Sequence, residues 1–443
     1  VIGNPPWETL QPYSKEFFSN IDPLYRTYGK QEALRAQKGY FERDAAIEHG
    51  WLSYCARFKS FSTWNRFAAF PFGDSEHGEG RFSFTRSGTD NATLHEVWRQ
   101  SRAGRAGYAD PEHPFRHQGE GKPYTHKMFC EMGRALLRED GYLGLLVPSG
   151  IYTDQGSTDL RRLLLEKSRW EWLFGFENRQ GIFDIHRSFK FNPIIARKGG
   201  RTAAIRTAFM HRAVEDWQDA ARHVLPYPRE RVEQFSPRSS AILEIRSARD
   251  LAVLEKMYAN SVLLGDDGPD GWGIRYRQGD FNMTSDSKLF PPRPWWEERG
   301  YKPNEYGLWI GPNGEVALPM YQGVMIGQFD FCAAAYVSGA GNRAVWRPLG
   351  WEEKRLEPQF LMSLKDYAGA AGVVRGDKVV LRDVTNATNE RTFISAVVPD
   401  MPCGNVLGVL GGHVHAMWTL VVALNSLSCD WATRQRMGGT HLN

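Results

Sequence analysis

The chain has 443 residues, a length that accommodates two or three domains. Its 42% hydrophobic and 24% charged residues allow a substantial buried core and exclude a disordered or low-complexity chain. No stretch reaches the roughly 18–20 uninterrupted apolar residues of a membrane-spanning helix, and no basic region followed by an apolar run marks a signal peptide.

A net charge of +4 permits a polyanionic partner without requiring one. The five cysteines, Cys55, Cys130, Cys332, Cys403 and Cys429, are odd in number, scattered, and form no Cys-x-x-Cys. A disulfide framework or structural zinc site is therefore not expected, and a reducing cytoplasm is the compartment they suit. Aromatic residues suit both large cores and surfaces that stack flat ligands, and composition does not choose between these.

In chain order, Asn4-Pro5-Pro6-Trp7 comes first, only three residues after a Val1 that stands where a gene product would carry Met. Two prolines fix φ twice and remove two N–H donors, which makes a rigid turn able to aim the Asn side chain and backbone carbonyls at one point. A planar exocyclic amine offers two N–H donors that such acceptors can hold, and an aromatic ring next in line can stack on the base bearing it. Alone, such a short turn is weak evidence and reads more readily as a plain loop.

Residues 8–118 are polar and aromatic-rich and read as an insertion with some helices, with loops at Gly73 to Gly88 and Ser101 to Gly121. From Tyr124 to Arg138, Met128, Met132, Ala135 and Leu136 lie at i, i+4, i+7 and i+8, which is one face of a helix. Tyr142 to Val147 is a continuous apolar run, expected as a strand buried on both faces of a parallel sheet and ended by Pro148-Ser149. Thr158 to Glu166 is expected as a helix, and Trp170 to Phe176 and Lys190 to Arg197 as strands. Alternating helices and apolar strands predict an α/β doubly wound domain.

Residues 201–290 read as a connecting region, with a Pro-rich junction at Pro226-Tyr227-Pro228 and a charged helix from Ser240 to Tyr258. After a Pro/Trp-rich break at Pro291 to Glu298 come short strands and Gly turns, a hairpin arm at Val373 to Val384, and a final helix from Val414 to Arg434.

Several of these segments, in this order, resemble the γ-type N6-adenine-specific DNA methyltransferases, particularly the large type IIG restriction–modification enzymes. The resemblance is carried by Asn4-Pro5-Pro6-Trp7, Tyr124 to Phe129, Gly141 to Ser149, Phe176-Glu177-Asn178, Gly181 to His186 and Phe189 to Ile195. It implies a partial Rossmann-like class I methyltransferase domain over residues 1–200, with only the later strands present and a large insertion at about 8–118. It further implies S-adenosyl-L-methionine as cofactor and double-stranded DNA as partner.

Carried over, Asn4 and the Pro5 carbonyl would accept from the adenine N6 amine, with Pro6 stiffening the turn. Trp7 would stack on one face of the extruded base, and Phe183 would pack on the other side or serve simply as a core aromatic. Base extrusion is needed because N6 is engaged within the duplex. In-line attack on the methyl group then relies on positioning and electrostatics, without a strong general base. Tyr124 and Phe129 match positions near the cofactor adenine in relatives, with a core role as the alternative.

The family's Gly-rich cofactor loop lies N-terminal to the Asn-Pro-Pro motif, so the chain is expected to be a piece of a longer enzyme. The strand feeding Asn4 is expected to be short, with no strands flanking it on the cofactor side.

Pro319 to Asp330, Arg382 to Thr392, Leu424 to Leu427 and Gly438 to Asn443 are similar to landmarks of the family's target-recognition region, where the chain continues beyond the last. Residues 291–443 are therefore expected to form a mixed α+β target-recognition domain. Gln328, Asn342, Arg343, Arg382, Asn386 and Arg391 are the polar candidates for DNA contact, since Arg, Asn and Gln suit base edges and phosphates. Individually, each such residue is more often a satisfied structural polar group or a solvated surface residue.

Glu352-Glu353-Lys354 has the Glu-x-Lys form of a nuclease site, but Pro269-Asp270 is too distant upstream to complete it. His413-x-His415 has no third ligand group and reads as a turn, so no metal is expected. The implied activity is adenine N6 methylation in a restriction–modification or related phage-defence system. Methylation of another planar amine (an RNA adenine or a glutamine) and a non-catalytic DNA-binding specificity module are the alternatives.

Overall fold

The computed structural model describes residues 1–67, 115–119, 122–266, 271–411, 416–437 and 441–442, with a few isolated positions besides. The loop from Gly73 to Gly88, most of that from Ser101 to Gly121, Pro269-Asp270, His413-x-His415 and most of Gly438 to Asn443 lie outside the described residues. The chain is mixed α/β and divides into two units, Val1–Ile242 and Leu243–Asn443. The boundary expected at residue 200 falls inside the first.

The first unit is organised on a six-stranded sheet of order β1-β2-β4-β3-β5-β6. Its strands are β1 (Ile2–Gly3), β2 (Tyr142–Pro148), β3 (Ser168–Glu177), β4 (Lys190–Lys198), β5 (Ala204–His211) and β6 (Leu225–Pro228). β1 is parallel to β2, and β3 to β5, but β4 runs antiparallel to both β2 and β3.

The sheet is thus mixed, and β2, expected to be buried on both faces, is fully buried on one face only. Leu143, Leu145 and Val147 are buried, while Tyr142 is exposed and Gly144 and Leu146 only half-buried. The apolar run therefore hides an alternation: one face packs on the core and the other is partly covered.

The supposed connecting region contributes two of the six strands. Pro226 and Pro228 lie in edge strand β6, where proline is tolerated because one side of the strand needs no ladder donors.

Helix Thr158–Glu166 presents Leu160, Leu163 and Leu164 to the core at i, i+3 and i+4. In helix Thr125–Ala135 the face of Met128, Met132 and Ala135 is only half-buried. Leu136, just past its end, is 73% exposed, whereas His126, Lys127, Cys130, Glu131 and Gly133 are buried. Gly133 lets Leu143 of β2 come within 3.0 Å of where a Cβ would stand, so the missing side chain there permits the close approach.

The described part of the insertion is helical, at Ser14–Phe18, Lys30–Arg43 and Ala45–Phe67. Phe18, Tyr25, Ala33 and Tyr40 form its small core, and Asp22 accepts from the Tyr28 and Tyr40 hydroxyls at 2.9 and 2.5 Å.

In the second unit the charged helix begins only at Ala248, capped by the Ser247 hydroxyl, and ends at Ala259. Among the described residues ten strands follow, in chain order β7 (Arg275–Gln278), β8 (Lys302–Pro303), β9 (Trp309–Ile310), β10 (Val316–Pro319), β11 (Ala334–Ser338), β12 (Val345–Pro348), β13 (Leu361–Ser363), β14 (Lys378–Arg382), β15 (Ser395–Val398) and β16 (Leu407–Gly411). They form sheets β13-β10-β9-β8, β11-β12 and β15-β14-β16-β7.

β14, expected as a hairpin arm, is an interior strand with neighbours on both sides. The expected final helix is two, Met417–Leu424 and Leu427–Arg436. Asn425 and Ser426 divide them because both side chains serve other backbone: Asn425 brackets Ser395 at 3.0 and 2.8 Å, and Ser426 caps the second helix.

Candidate active site

β1 delivers the Asn4–Trp7 turn at the sheet edge, where Ile2 and Gly3 register with Gly144 and Leu145 of β2. Pro5 is buried, Asn4 and Pro6 are exposed, and Trp7 is half-buried. The turn is tied down at its exit. The Thr125 hydroxyl donates to the Pro6 carbonyl at 2.7 Å, and the Thr125 N–H donates to the Glu8 carbonyl at 3.0 Å. The Leu10 N–H donates to the Pro123 carbonyl at 2.9 Å. Among the described residues, neither the Asn4 side chain nor the Pro5 carbonyl takes part in a hydrogen bond. Two acceptors are thus held by a fixed backbone and left open to an outside donor.

Trp7 donates its indole N–H to the Leu146 carbonyl at 3.3 Å, which anchors the ring to β2. Its ring stacks on Phe189, with centroids 6.2 Å apart and planes 21° from parallel. Trp7, Leu146 and Ile182 pack against the buried cluster of Phe174, Phe176, Phe191 and Ala208. Phe183, 36% exposed, meets Phe191 edge-on at 4.9 Å. The structure therefore brings Trp7 and the loop joining β3 to β4 onto one aromatic cluster. The ring facing Trp7 is Phe189, and Phe183 lies at the rim.

That loop is closed by Asn178. Its backbone N–H donates to the Phe189 carbonyl at 2.9 Å, and the Gly181 N–H returns to the Asn178 carbonyl at 2.9 Å. Its side-chain amide donates to the Phe183 and Ile185 carbonyls at 2.9 and 3.0 Å and accepts from the Phe183 N–H at 3.0 Å. Beside it Glu177, also buried, pairs with Arg179 and Arg212 at 2.7 and 2.9 Å.

Neither Asn178 nor Phe189 stood out as a site residue in the sequence. The available signal was a polar Asn directly after an apolar strand, followed three residues later by a Gly at φ 71°.

Tyr124 precedes helix Thr125–Ala135 with its ring 5.3 Å from His126, and burial raises its hydroxyl pKa. Phe129 is exposed on the same helix. Among the described residues no Gly-rich turn joins a strand to a helix.

In the second unit the DNA candidates separate. Arg343 is exposed in the turn between β11 and β12, and Asn342 occupies the same turn. Arg382 is directed inward, donating to the Gly323 carbonyl at 3.0 Å and to that of Ile326, and burial lowers its pKa. Gln328 donates to the Asn425 carbonyl at 3.2 Å. Asn386 shapes its own turn by accepting from the Thr388 N–H at 2.9 Å. Arg391 is half-buried, with one guanidinium nitrogen buried and unpaired among the described residues.

The Glu-x-Lys triplet is structural. Lys354 pairs with Asp330 at 2.6 Å and donates to the Cys332 and Leu349 carbonyls, while Glu353 caps Gly350 and pairs with Arg347. Among the described residues no group of three His, Cys, Asp or Glu could hold a metal ion, and no helix is long and apolar enough to cross a membrane.

No family model and no curated protein matches the chain. Among solved structures it is similar to the type IIG restriction endonuclease BpuSI, at 15% identity and a TM-score of 0.29 over 77% of this chain and 42% of that one. It is similar to a chain of the DrdV–DNA complex at 9% identity and a TM-score of 0.29, covering 65% of this chain and 31% of that one. It is also similar to a modification subunit of a putative type I restriction enzyme from Vibrio vulnificus YJ016, at 13% identity and a TM-score of 0.19 over 32% and 26%. The chain spans less than half the length of each of these proteins.

Proposed function

We propose that the chain belongs to an adenine-specific DNA methyltransferase of a restriction–modification or related phage-defence system. In this reading the first unit is part of a Rossmann-like class I methyltransferase domain, and the second unit carries target recognition on double-stranded DNA. The observation that carries it is the Asn4–Trp7 turn: two open acceptors on a proline-fixed backbone, beside a tryptophan anchored by β2 and stacked on Phe189.

Asn4 and the Pro5 carbonyl accept the two N–H donors of the adenine N6 amine, which orients the nitrogen lone pair. Trp7 and the β3–β4 loop offer aromatic surface to the extruded base. S-adenosylmethionine is the methyl donor of this reading and supplies the electrophilic methyl group. The protein's contribution at the amine is positioning.

The test uses the protein as its gene encodes it, with tritiated S-adenosylmethionine and plasmid DNA from a methylation-deficient host. Label recovered as N6-methyladenine with wild type, and lost with Asn4→Ala, is the expected outcome. Tight duplex binding with no label in any nucleoside would replace this reading with the non-catalytic specificity module.

A further inference from the structure

We infer that Asn178 is a positioning residue whose buried amide holds the β3–β4 loop as a preset apolar shelf beside Trp7, so that the extruded adenine meets an ordered surface. The inference rests on the function proposed above.

It starts from a contradiction in the loop itself. Residues 178–189 expose Phe183, Ile185 and Phe189, and Phe189 is 47% accessible. A loop that displays three large apolar side chains without fixing them would gain more by collapsing them inward. Exposed apolar groups on an ordered frame are the signature of a binding surface.

The frame is Asn178. Its side chain is fully buried, and both its amide hydrogens and its oxygen are committed to the loop backbone at Phe183 and Ile185. Its backbone closes the loop at both ends, through the Phe189 carbonyl and the Gly181 N–H. A second lock lies near the far end, where the Ser188 hydroxyl meets His186 Nδ1 at 2.7 Å.

The side-chain amide is suited to this task because it donates twice and accepts once at a single point. A carboxylate there could accept from the Phe183 N–H but would face two carbonyl oxygens without a proton to offer. Because Ile182 packs on the cluster that holds Trp7 and Phe189 stacks on the Trp7 ring, release of the loop would loosen that ring as well.

The experiment compares wild type with Asn178→Ala and Asn178→Asp, on the unmodified plasmid DNA used above. Single-turnover methylation is expected to fall about a hundredfold in Asn178→Ala, as for a displacement of about an ångström at a reacting centre. Plasmid affinity by filter binding is expected to stay within about twofold, since the Asn178 side chain is fully buried and committed to the loop backbone. Hydrogen exchange of the 179–189 amides should accelerate more than about tenfold with the rest of the first unit unchanged.

Asn178→Asp should lose activity at pH 8 and regain part of it at pH 6, where a buried carboxyl takes up a proton and again donates. If Asn178→Ala does not fold, this pH-dependent rescue carries the test. Equal loop exchange in wild type and both variants overturns the inference. So does a parallel loss of DNA affinity and methylation. Absence of N6-methyladenine with wild-type protein defeats the proposed function instead, and the exchange measurement still decides the role of Asn178.

Discussion

Trp7 and Phe189 lie 182 positions apart in sequence and stack with centroids 6.2 Å apart at 21°. The stack joins the turn after β1 to the loop before β4, with the Leu146 carbonyl fixing the indole from below. Removing either ring therefore acts on both segments. Trp7→Phe keeps an aromatic partner and loses one hydrogen bond, for an expected cost of about 1 kcal/mol by urea unfolding. Phe189→Ala should lower N6-methyladenine formation although it touches neither acceptor. Wild-type methylation by Phe189→Ala would show that the stack serves folding alone.

Arg343 and Arg382 should part company under mutation. Arg382 satisfies the carbonyls of Gly323 and Ile326, so Arg382→Ala strands two acceptors and should cost about 1–3 kcal/mol of stability. Arg343 is exposed in the β11–β12 turn. Arg343→Ala should leave the melting temperature unchanged, weaken duplex DNA binding, and reduce the slope of log affinity against log salt by about one. A loss of DNA binding in Arg382→Ala without loss of stability would reverse the assignment.

What was legible in the sequence follows from which forces act locally. The helix over Thr158–Glu166 was readable because Leu160, Leu163 and Leu164 carry a strong 3.6-residue period, β2 because its apolar run is continuous, and β3 and β4 because they are dense in aromatic and aliphatic residues. Helix Thr125–Ala135 was legible as a helix but not in its orientation. Its buried face carries His126, Lys127 and Glu131, whose burial depends on partners such as Gln118 and Gly156, distant in sequence or on another segment. Strand direction was hidden for a similar reason: whether β4 runs with or against β2 is set by the β3–β4 loop, not by the composition of either strand. At the candidate site, Asn4 and Trp7 stood out through their motif. Asn178 and Phe189 act through loop closure and stacking, which no local pattern reports.

Lys378 and Asp280 form an ion pair at 2.6 Å with both side chains fully buried. Lys378 also donates to the Tyr367 hydroxyl and the Met401 carbonyl, at 3.0 and 2.8 Å. Lys378→Met leaves the Asp280 carboxylate without its partner and should destabilise the protein by about 3–5 kcal/mol. Adding Asp280→Leu should return much of that loss, since a buried apolar pair needs no desolvation of charge. A double variant no more stable than Lys378→Met, measured by denaturant unfolding, would mean that the remaining hydrogen bonds of this network dominate.

Helix Thr125–Ala135 should also write two opposing signatures on the pH dependence of stability. Burial pulls the His126 imidazole down from 6.5 to about 4, with the neighbouring Lys127 charge adding to it. The unfolded chain therefore binds more protons between these values, and stability rises as pH increases from about 4 to 6.5. Burial pushes the Glu131 carboxyl up from 4.5 to about 7, against hydrogen bonds from Gln118 and His117 that favour its charged form. Here the folded chain binds more protons, so stability falls as pH increases from 4.5 to about 7. The two slopes largely cancel in the wild-type protein. His126→Phe should expose the falling slope and Glu131→Gln the rising one, read as chemical-denaturation midpoints across pH 4 to 7. Identical pH profiles in wild type and both variants would mean that neither group changes its proton affinity on folding.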